Sequence, residues 1–257
     1  MQIAHIAGYK FTELTALDIL QRSLQAQCET GALKGTILLS PEGINLNLAG
    51  AVPAVADFTA ALTGQAPFTD MRFHRTYADQ QPYKRLKVKL KEEIITFRQG
   101  EAVAPLQARA PEIAPSTLKQ WLDENRDITL LDTRNDYEFR FGAFTGAVNL
   151  HINHFGTLPQ AVQALDKHKP LVMYCTGGIR CEKAALYMEN QGFTEVYQLD
   201  GGILGYFAAE GGAHYEGECF VFDERIALAP DLQSHGTRQC TRCQGPVPVG
   251  QLACPDC

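Results

Sequence analysis

Cys175 closes the apolar run "PLVMYC" and is followed at once by "TGGIRC", so a thiol, two glycines, an arginine and a second thiol fall together. Gly177 and Gly178 permit backbone conformations that turn amide hydrogens inward, and a helix beginning near Cys181 adds the partial positive charge of its N-terminus. The amides of Thr176, Gly177, Gly178, Ile179 and Arg180 then form a cradle for an anion centred on the Cys175 sulfur, with Arg180 adding a full charge. Such a setting lowers a thiol's pKa and makes it a nucleophile. A cysteine that ends a buried strand is otherwise only a small hydrophobe; the two glycines and the arginine favour the reactive reading.

Loop length suggests what the thiol carries. Four residues separate Cys175 from Arg180, one fewer than in the phosphate-wrapping loop of tyrosine phosphatases, and a tighter loop suits a single sulfur atom. The expectation is a persulfide carrier. Cys181 has two open readings: it resolves an oxidised or persulfidated Cys175 as an internal disulfide, or it is a buried residue of the following helix.

The second cysteine group is "CTRCQGPVPVGQLACPDC", in which Cys240, Cys243, Cys254 and Cys257 form two CxxC pairs. Each CxxC turn aims two sulfurs at one point, and four thiolates match a tetrahedral zinc ion. A structural zinc knuckle is expected, with four free cysteines as the alternative. Nothing in the sequence places this group beside Cys175.

A third pattern is cationic. In "YKRLKVKLK", Arg85, Lys87, Lys89 and Lys91 alternate with Leu86, Val88 and Leu90. Strand periodicity predicts four cations on one face and three aliphatics on the core. The face is either a solvated sheet edge or, with Arg72, His74, Arg75, Tyr77 and Tyr83 close in sequence, a surface for phosphates and single-stranded bases.

These groups need elements to hold them. A chain of 257 residues, 45% hydrophobic, suits one large domain or two to three modest ones, with ample core. A net charge of −6 argues against indiscriminate nucleic-acid binding while leaving room for a local basic face. No signal pattern and no apolar run of membrane-helix length is visible. A cytoplasmic protein is therefore expected, with its eight cysteines reduced and used for catalysis or metal rather than disulfides.

The Pro- and Ala-rich stretch "AVAPLQARAPEIAPS" reads as a linker. The expected division is residues 1–100, a linker at 101–121, a second domain at 122–217 and a Cys-rich tail at 218–257. Before the linker, "IAHIAGYKF", "ELTALDILQRSLQAQCETG", "KGTILLSPEGINLNLAG", "VPAVADFTAALTG" and "YKRLKVKLKEEIITF" read as strand, helix, hairpin, helix and a further strand or pair of strands. That βαββαβ order predicts a ferredoxin-like or acylphosphatase-like α+β sandwich. After it, "ITLLDTR", "AVNLHI", "PLVMYC" and "EVYQLDGG" are short apolar strands between helical stretches, predicting a parallel α/β sheet. Ligands of such sheets gather at the carboxyl ends of strands, where Cys175 stands.

The stretch from about Asn125 to Gly217 resembles a rhodanese domain, through "LLDTRNDYEFRFGAFTGAVNL", "CTGGIRC" and "VYQLDGGILGYF". In that resemblance Asp132, Arg134 and Glu138 fall in a segment that organises the domain near the loop, and a structural polar network is expected of them; His151 and His154 follow the second strand of this domain, with a surface or capping role expected and an approach to the pocket as the alternative. The order of "GTILLSPEGINLNLAG", "PYKRLKVKLKEEIITF" and "CTGGIRCEKAA" over nearly the whole chain is similar to that of the rhodanese-domain tRNA uridine hydroxylases. The resemblance implies 5-hydroxyuridine formation at the wobble position of tRNA, molecular oxygen as cosubstrate, and a persulfide on Cys175. Within enzymes, the alternative is a sulfurtransferase that takes sulfur from a donor and passes it to a small acceptor or to tRNA. From another class, the alternative is a non-catalytic tRNA-binding or regulatory module.

Overall fold

The computed structural model describes residues 2–257 apart from 101, 102, 104, 107, 252 and 256. It separates into two compact units, Met1–Thr96 and Phe97–Cys257.

The first unit runs β1 (Ile3–Phe11), α1 (Leu17–Thr30), β2 (Lys34–Ser40), β3 (Gly43–Ala51), α2 (Val52–Thr63), β4 (His74–Ala78) and β5 (Leu86–Leu90). Its sheet has the order β4-β1-β3-β2-β5. Alternation decides which face each side chain takes. Ile6, Ile37, Leu39, Ile44, Leu46 and Leu48 are fully buried and join Leu24 of α1 and Val55, Phe58 and Leu62 of α2 in one core. Cys28 of α1 belongs to this core, and burial pushes its thiol up to about 12, so it behaves as a hydrophobe.

Two expectations change here. The expected helix from Glu13 begins only at Leu17, because the Thr12 and Leu14 amides donate to the carbonyls of Glu42 and Pro41 and hold that stretch against the β2–β3 turn. The strand that completes the βαββαβ order is "HRTYA", β4, antiparallel to β1. β5 is an additional strand, parallel to β2 at the opposite edge of the sheet.

The second unit opens with β6 (Glu112–Ile113), inside the stretch expected to be linker, and α3 (Pro115–Asp123), which begins in that stretch and runs two residues past it. They are part of the fold because β6 pairs with a strand of the sheet and Leu118 of α3 is fully buried. There follow β7 (Thr129–Asp132), α4 (Asp136–Phe139), β8 (Gly142–Phe144), β9 (Val148–Asn149), α5 (Leu158–Ala161), β10 (Leu171–Tyr174), α6 (Ile179–Asn190), β11 (Val196–Leu199) and α7 (Gly202–Glu210). Five strands form a parallel sheet in the order β6-β11-β10-β7-β9. After β7 the chain goes to one edge at β9 and returns on the other side as β10. The carboxyl ends of β7 and β10 therefore flank a topological switch point, where α/β sheets place their ligands.

The remaining residues are tied to this core. β12 (Tyr215–Gly217) pairs with β8, β13 (Cys219–Phe220) pairs with β14 (Ala227–Leu228), and β15 (Arg238–Gln239) pairs with β16 (Pro246–Val247). Cys219, Val221 and Leu228 lie in the same apolar cluster as Val172, Tyr174 and Ile203. Among the described residues no helix is long and apolar enough to cross a membrane.

Candidate active site and cysteine cluster

β10 is buried along its whole length and delivers Cys175 to the switch point, where the chain must turn directly into α6. Gly178 makes that turn at φ 100°, a value that favours glycine, and its amide donates to the Cys175 Sγ at 3.1 Å. The loop is clamped from behind by the start of α7. There the Ile203 amide donates to the Cys175 carbonyl at 2.9 Å and the Leu204 amide to the Thr176 carbonyl at 3.0 Å. With those carbonyls turned away, the amides of Gly178 and Arg180 are left to favour the thiolate. Gly202, at φ 59°, lies so close that a Cβ would collide with the Cys175 carbonyl oxygen.

Arg180 leaves the first turn of α6 and is gripped by Glu138 of α4, with Nη1 donating to Oε1 at 2.6 Å and Nη2 to Oε2 at 2.8 Å. Nη2 also reaches Thr176 Oγ1 at 3.5 Å. Glu138 Oε1 additionally accepts the Asn135 amide at 3.1 Å, so one carboxylate fixes both its own helix and the loop arginine. Cys181, one residue on, is fully buried and its Sγ lies 3.6 Å from Thr133 Oγ1.

Burial alone would raise the Cys175 thiol, but the Cys181 hydrogen bond, the Arg180 charge and the amides of Arg180 and Gly178 outweigh it and hold the group at about 5. Cys181 moves the other way, because burial and the adjacent Cys175 sulfur keep its proton on. The two thiols are thus shifted in opposite directions, Cys175 toward the thiolate and Cys181 toward the thiol. The same arrangement favours a nucleophilic sulfur at neutral pH.

Asp132 and Arg134 form a separate buried pair. Arg134 Nη2 meets Asp132 Oδ2 at 2.6 Å and donates to the Gly142 carbonyl at 2.7 Å, which pins the end of β7 to β8. The expected polar network is therefore two pairs, and Glu138 works in the one that touches the loop. His151 is exposed and contacts Asp136 Oδ1 at 2.8 Å, and His154 is also exposed. Cys219 is a residue the sequence did not connect with the site. It is fully buried, its Sγ contacts the Phe220 carbonyl at 3.6 Å, and burial drives its thiol up to about 12.

The four terminal cysteines converge. The ligand atoms of Cys240, Cys243, Cys254 and Cys257 all lie within 4.8 Å of one another. Cys240 and Cys257 are 3.5 Å apart and Cys243 and Cys254 3.4 Å. These separations are far too long for disulfides, which need about 2.05 Å. They are near the edge of about 3.8 Å that a tetrahedron of sulfurs has at a Zn–S length of about 2.3 Å. The donor set and its spacing therefore fit a thiophilic divalent metal. The Gly245 amide and the Arg140 guanidinium hold the Cys243 thiol down at about 6.

The six candidate cations of the first unit do not form one patch. Arg75 lies on β4 and Lys87 and Lys89 on β5, at opposite edges of the sheet, about 19 Å apart at about 4.8 Å per strand step. Arg72 precedes β4, while Arg85 and Lys91 flank β5 outside the strand. Lys87 and Lys89 sit opposite Thr36 and Leu38 in register, and alternate with Leu86 and Val88, which pack on the core. Leu90, expected on the core, is 37% exposed because the strand ends there. The Tyr83 ring is already stacked on His5 at 5.7 Å, and Tyr77 packs on the core.

Comparison with known proteins agrees with this division. Residues 3–94 match the family described as UPF0176 acylphosphatase like domain, and residues 114–209 match the Rhodanese-like domain. The tRNA uridine(34) hydroxylase of Cupriavidus taiwanensis is 46% identical over 275 residues, covering 100% of this chain and 97% of its own length. That of Xanthomonas euvesicatoria is 48% identical over 242 residues, covering 90% and 96%. Among solved structures, the Alr3790 protein of Anabaena aligns with 25% identity and a TM-score of 0.36 over 41% of this chain and 91% of its own. With both domains matched in order and relatives this similar end to end, the chain belongs to the tRNA uridine(34) hydroxylase family.

Proposed function

We propose that this chain hydroxylates the wobble uridine of tRNA to 5-hydroxyuridine, with molecular oxygen as cosubstrate and Cys175 as the reacting thiolate. The observation that carries the role of Cys175 is its sulfur, accepting the Gly178 amide within a loop whose arginine is locked by Glu138. The substrate is supported by the names of relatives aligned over the whole chain. In the persulfide step, the Cys175 thiolate attacks the outer sulfur of a donor R–S–SH. A new S–S bond forms as the old one breaks, leaving R–S⁻ and a persulfide on Cys175. The amides of Thr176 to Arg180 hold the terminal anion, and Cys181 stands where it can donate a proton to the sulfur or resolve it as a disulfide. Lys87 and Lys89, with Arg85, Lys91, Arg72 and Arg75, are the candidate contacts to tRNA phosphates. Cys240, Cys243, Cys254 and Cys257 are the ligands of a structural zinc.

A sulfurtransferase reading is favoured by one observation, the short loop sized to a single sulfur. The two are separated by nucleoside mass spectrometry of tRNA from a strain that carries only Cys175→Ser protein. Loss of 5-hydroxyuridine derivatives supports hydroxylation, loss of a thiolated nucleoside supports sulfur transfer, and unchanged nucleosides overturn the assignment of Cys175. Serine nearly conserves the volume, so the fold should remain.

A further inference from the structure

Arg140 follows α4 directly and reaches the terminal cysteine cluster. Its Nη1 donates to the Cys243 carbonyl at 3.1 Å and its Nη2 to the Cys243 Sγ at 3.5 Å. Gly245 lies close to the guanidinium, so that a Cβ there would collide with Nη2 and Cζ. Two residues upstream, Glu138 grips Arg180 of the Cys175 loop.

α4 is a single turn, with the Arg140 amide bonded to the Asp136 carbonyl and the Phe141 amide to that of Glu138. It has no length over which to bend, so Glu138 and Arg140 must shift together. Its other side chains are also engaged. Asp136 accepts from Asn149 at 2.9 Å, and the Tyr137 ring meets Phe220 edge-on at 5.2 Å. The apolar side of α4 is thus seated on β13, leaving the polar link from Arg140 to bear on the cluster.

Four thiolates around a divalent ion carry a net charge of −2, and metal-bound sulfur is steadied by N–H donors outside the ligand set. Arg140 supplies both the donor and an offsetting charge. Without metal nothing binds the four sulfurs into one dianionic group, and Arg140 keeps the Cys243 carbonyl but loses a charged sulfur acceptor fixed in place.

We propose that the four-cysteine cluster, when it holds a divalent metal, fixes the Cys175 anion loop through Arg140, α4 and the Glu138–Arg180 pair. Arg140 is then a positioning residue for the thiol. This rests on the reading of Cys175 as a reactive thiolate and adds a second site that governs it.

The test compares full-length protein reconstituted with zinc and the same protein stripped by a chelator. Each is treated with iodoacetamide, and peptides carrying Cys175 and Cys219 are followed by mass spectrometry. Zinc removal should slow Cys175 labelling roughly tenfold, in line with the loss of an outer metal-site contact. Arg140→Met should be slow with or without zinc, and Arg140→Lys should recover part of the zinc response, since an ammonium still donates to sulfur. Gly245→Ala, which displaces the guanidinium while keeping every charge, should behave like Arg140→Met.

A wild-type rate indifferent to zinc, a chain that binds no zinc, or a full zinc response in Arg140→Met would each overturn the proposal. So would Cys219 labelling that rises in step with the change, because that thiol is fully buried and reports opening of the whole unit. Labelling needs neither tRNA nor turnover. If Cys175→Ser protein still modified tRNA, the functional reading would fall while this coupling could still be measured.

Discussion

Glu138 and Arg180 meet in a two-pronged ion pair inside the second unit, with the glutamate side chain fully buried and the arginine 7% exposed. A buried pair of this kind contributes little against an apolar replacement, but breaking one half leaves an uncompensated charge. Glu138→Gln should therefore cost about 3–5 kcal/mol of unfolding free energy. Urea denaturation measures it, and a change below about 0.5 kcal/mol, the level of an ordinary surface substitution, would mean that Arg180 finds another partner.

The thiol at the centre of the loop should show itself by titration. Cys175 is held at about 5 although burial opposes ionisation, because Cys181, Arg180 and two amides favour the thiolate. Its alkylation rate should climb through about pH 5 and be flat by neutral pH. Arg180→Met should move that rise upward. The linkage follows the same sign: between the folded value and the ordinary thiol pKa near 9, the unfolded chain binds a proton that the folded chain does not, so this group's contribution to stability grows with pH across that window and is lost as pH falls through about 5. Cys181 is shifted upward, so its contribution is complete below the ordinary value and fades above it. A Cys175 alkylation midpoint near 8 or 9 would contradict the geometry.

Gly202 has two reasons to be glycine, its φ of 59° and the Cys175 carbonyl oxygen close to where a Cβ would stand. Gly202→Ala should cost about 1–3 kcal/mol from backbone strain, and more if the loop cannot move aside. Because the obstructing atom is backbone of the loop itself, slower Cys175 labelling should accompany the lower melting temperature. Unchanged labelling with an unchanged melting temperature would show that α7 does not clamp the loop.

For the basic strand, Lys87→Ser with Lys89→Ser should weaken tRNA binding and shallow the slope of log affinity against log salt by roughly 1 to 2, if each cation displaces about one counterion. Leu86 and Val88 still pack on the core, so the fold should persist and Cys175 should still accept sulfur from a small donor. An unchanged slope would assign these lysines to a solvated edge and direct the search to Arg72 and Arg75 at the other one.

Much of this arrangement was legible where chemistry is local in sequence. The loop from Cys175 to Cys181 and the paired CxxC spacing announce themselves because a few consecutive residues set their geometry. β4 was not legible, since "HRTYA" has no clean apolar alternation and becomes a strand by pairing with β1. The two-residue β6 was hidden for the same reason, in a stretch whose prolines and alanines read as linker. The split of Asp132, Arg134 and Glu138 into two pairs depends on which charges face each other across 42 residues in the case of Glu138 and Arg180. A hint lay in "NDYE", where an asparagine three residues before a glutamate often marks a helix start. The contact of Arg140 with Cys243, 103 residues away, leaves no local trace.

The parallel pairing of β5 with β2 also bears on how the first unit is made. Once β1 to β4 have assembled, β2 still presents an open row of backbone donors and acceptors, with Ile37, Leu38 and Leu39 in sequence along it. Such an edge is a template for another chain. It is satisfied only when residues 79–85 have crossed from one side of the sheet to the other and Leu86–Leu90 has zipped on. During synthesis, or in a fragment ending near Ala78, the unit would hold its hydrophobic core and still be sticky. The finished chain exchanges that bare edge for one bearing Lys87 and Lys89, whose charge discourages strand addition. The last strand of the unit is thus a cap against self-association as well as a candidate surface for RNA.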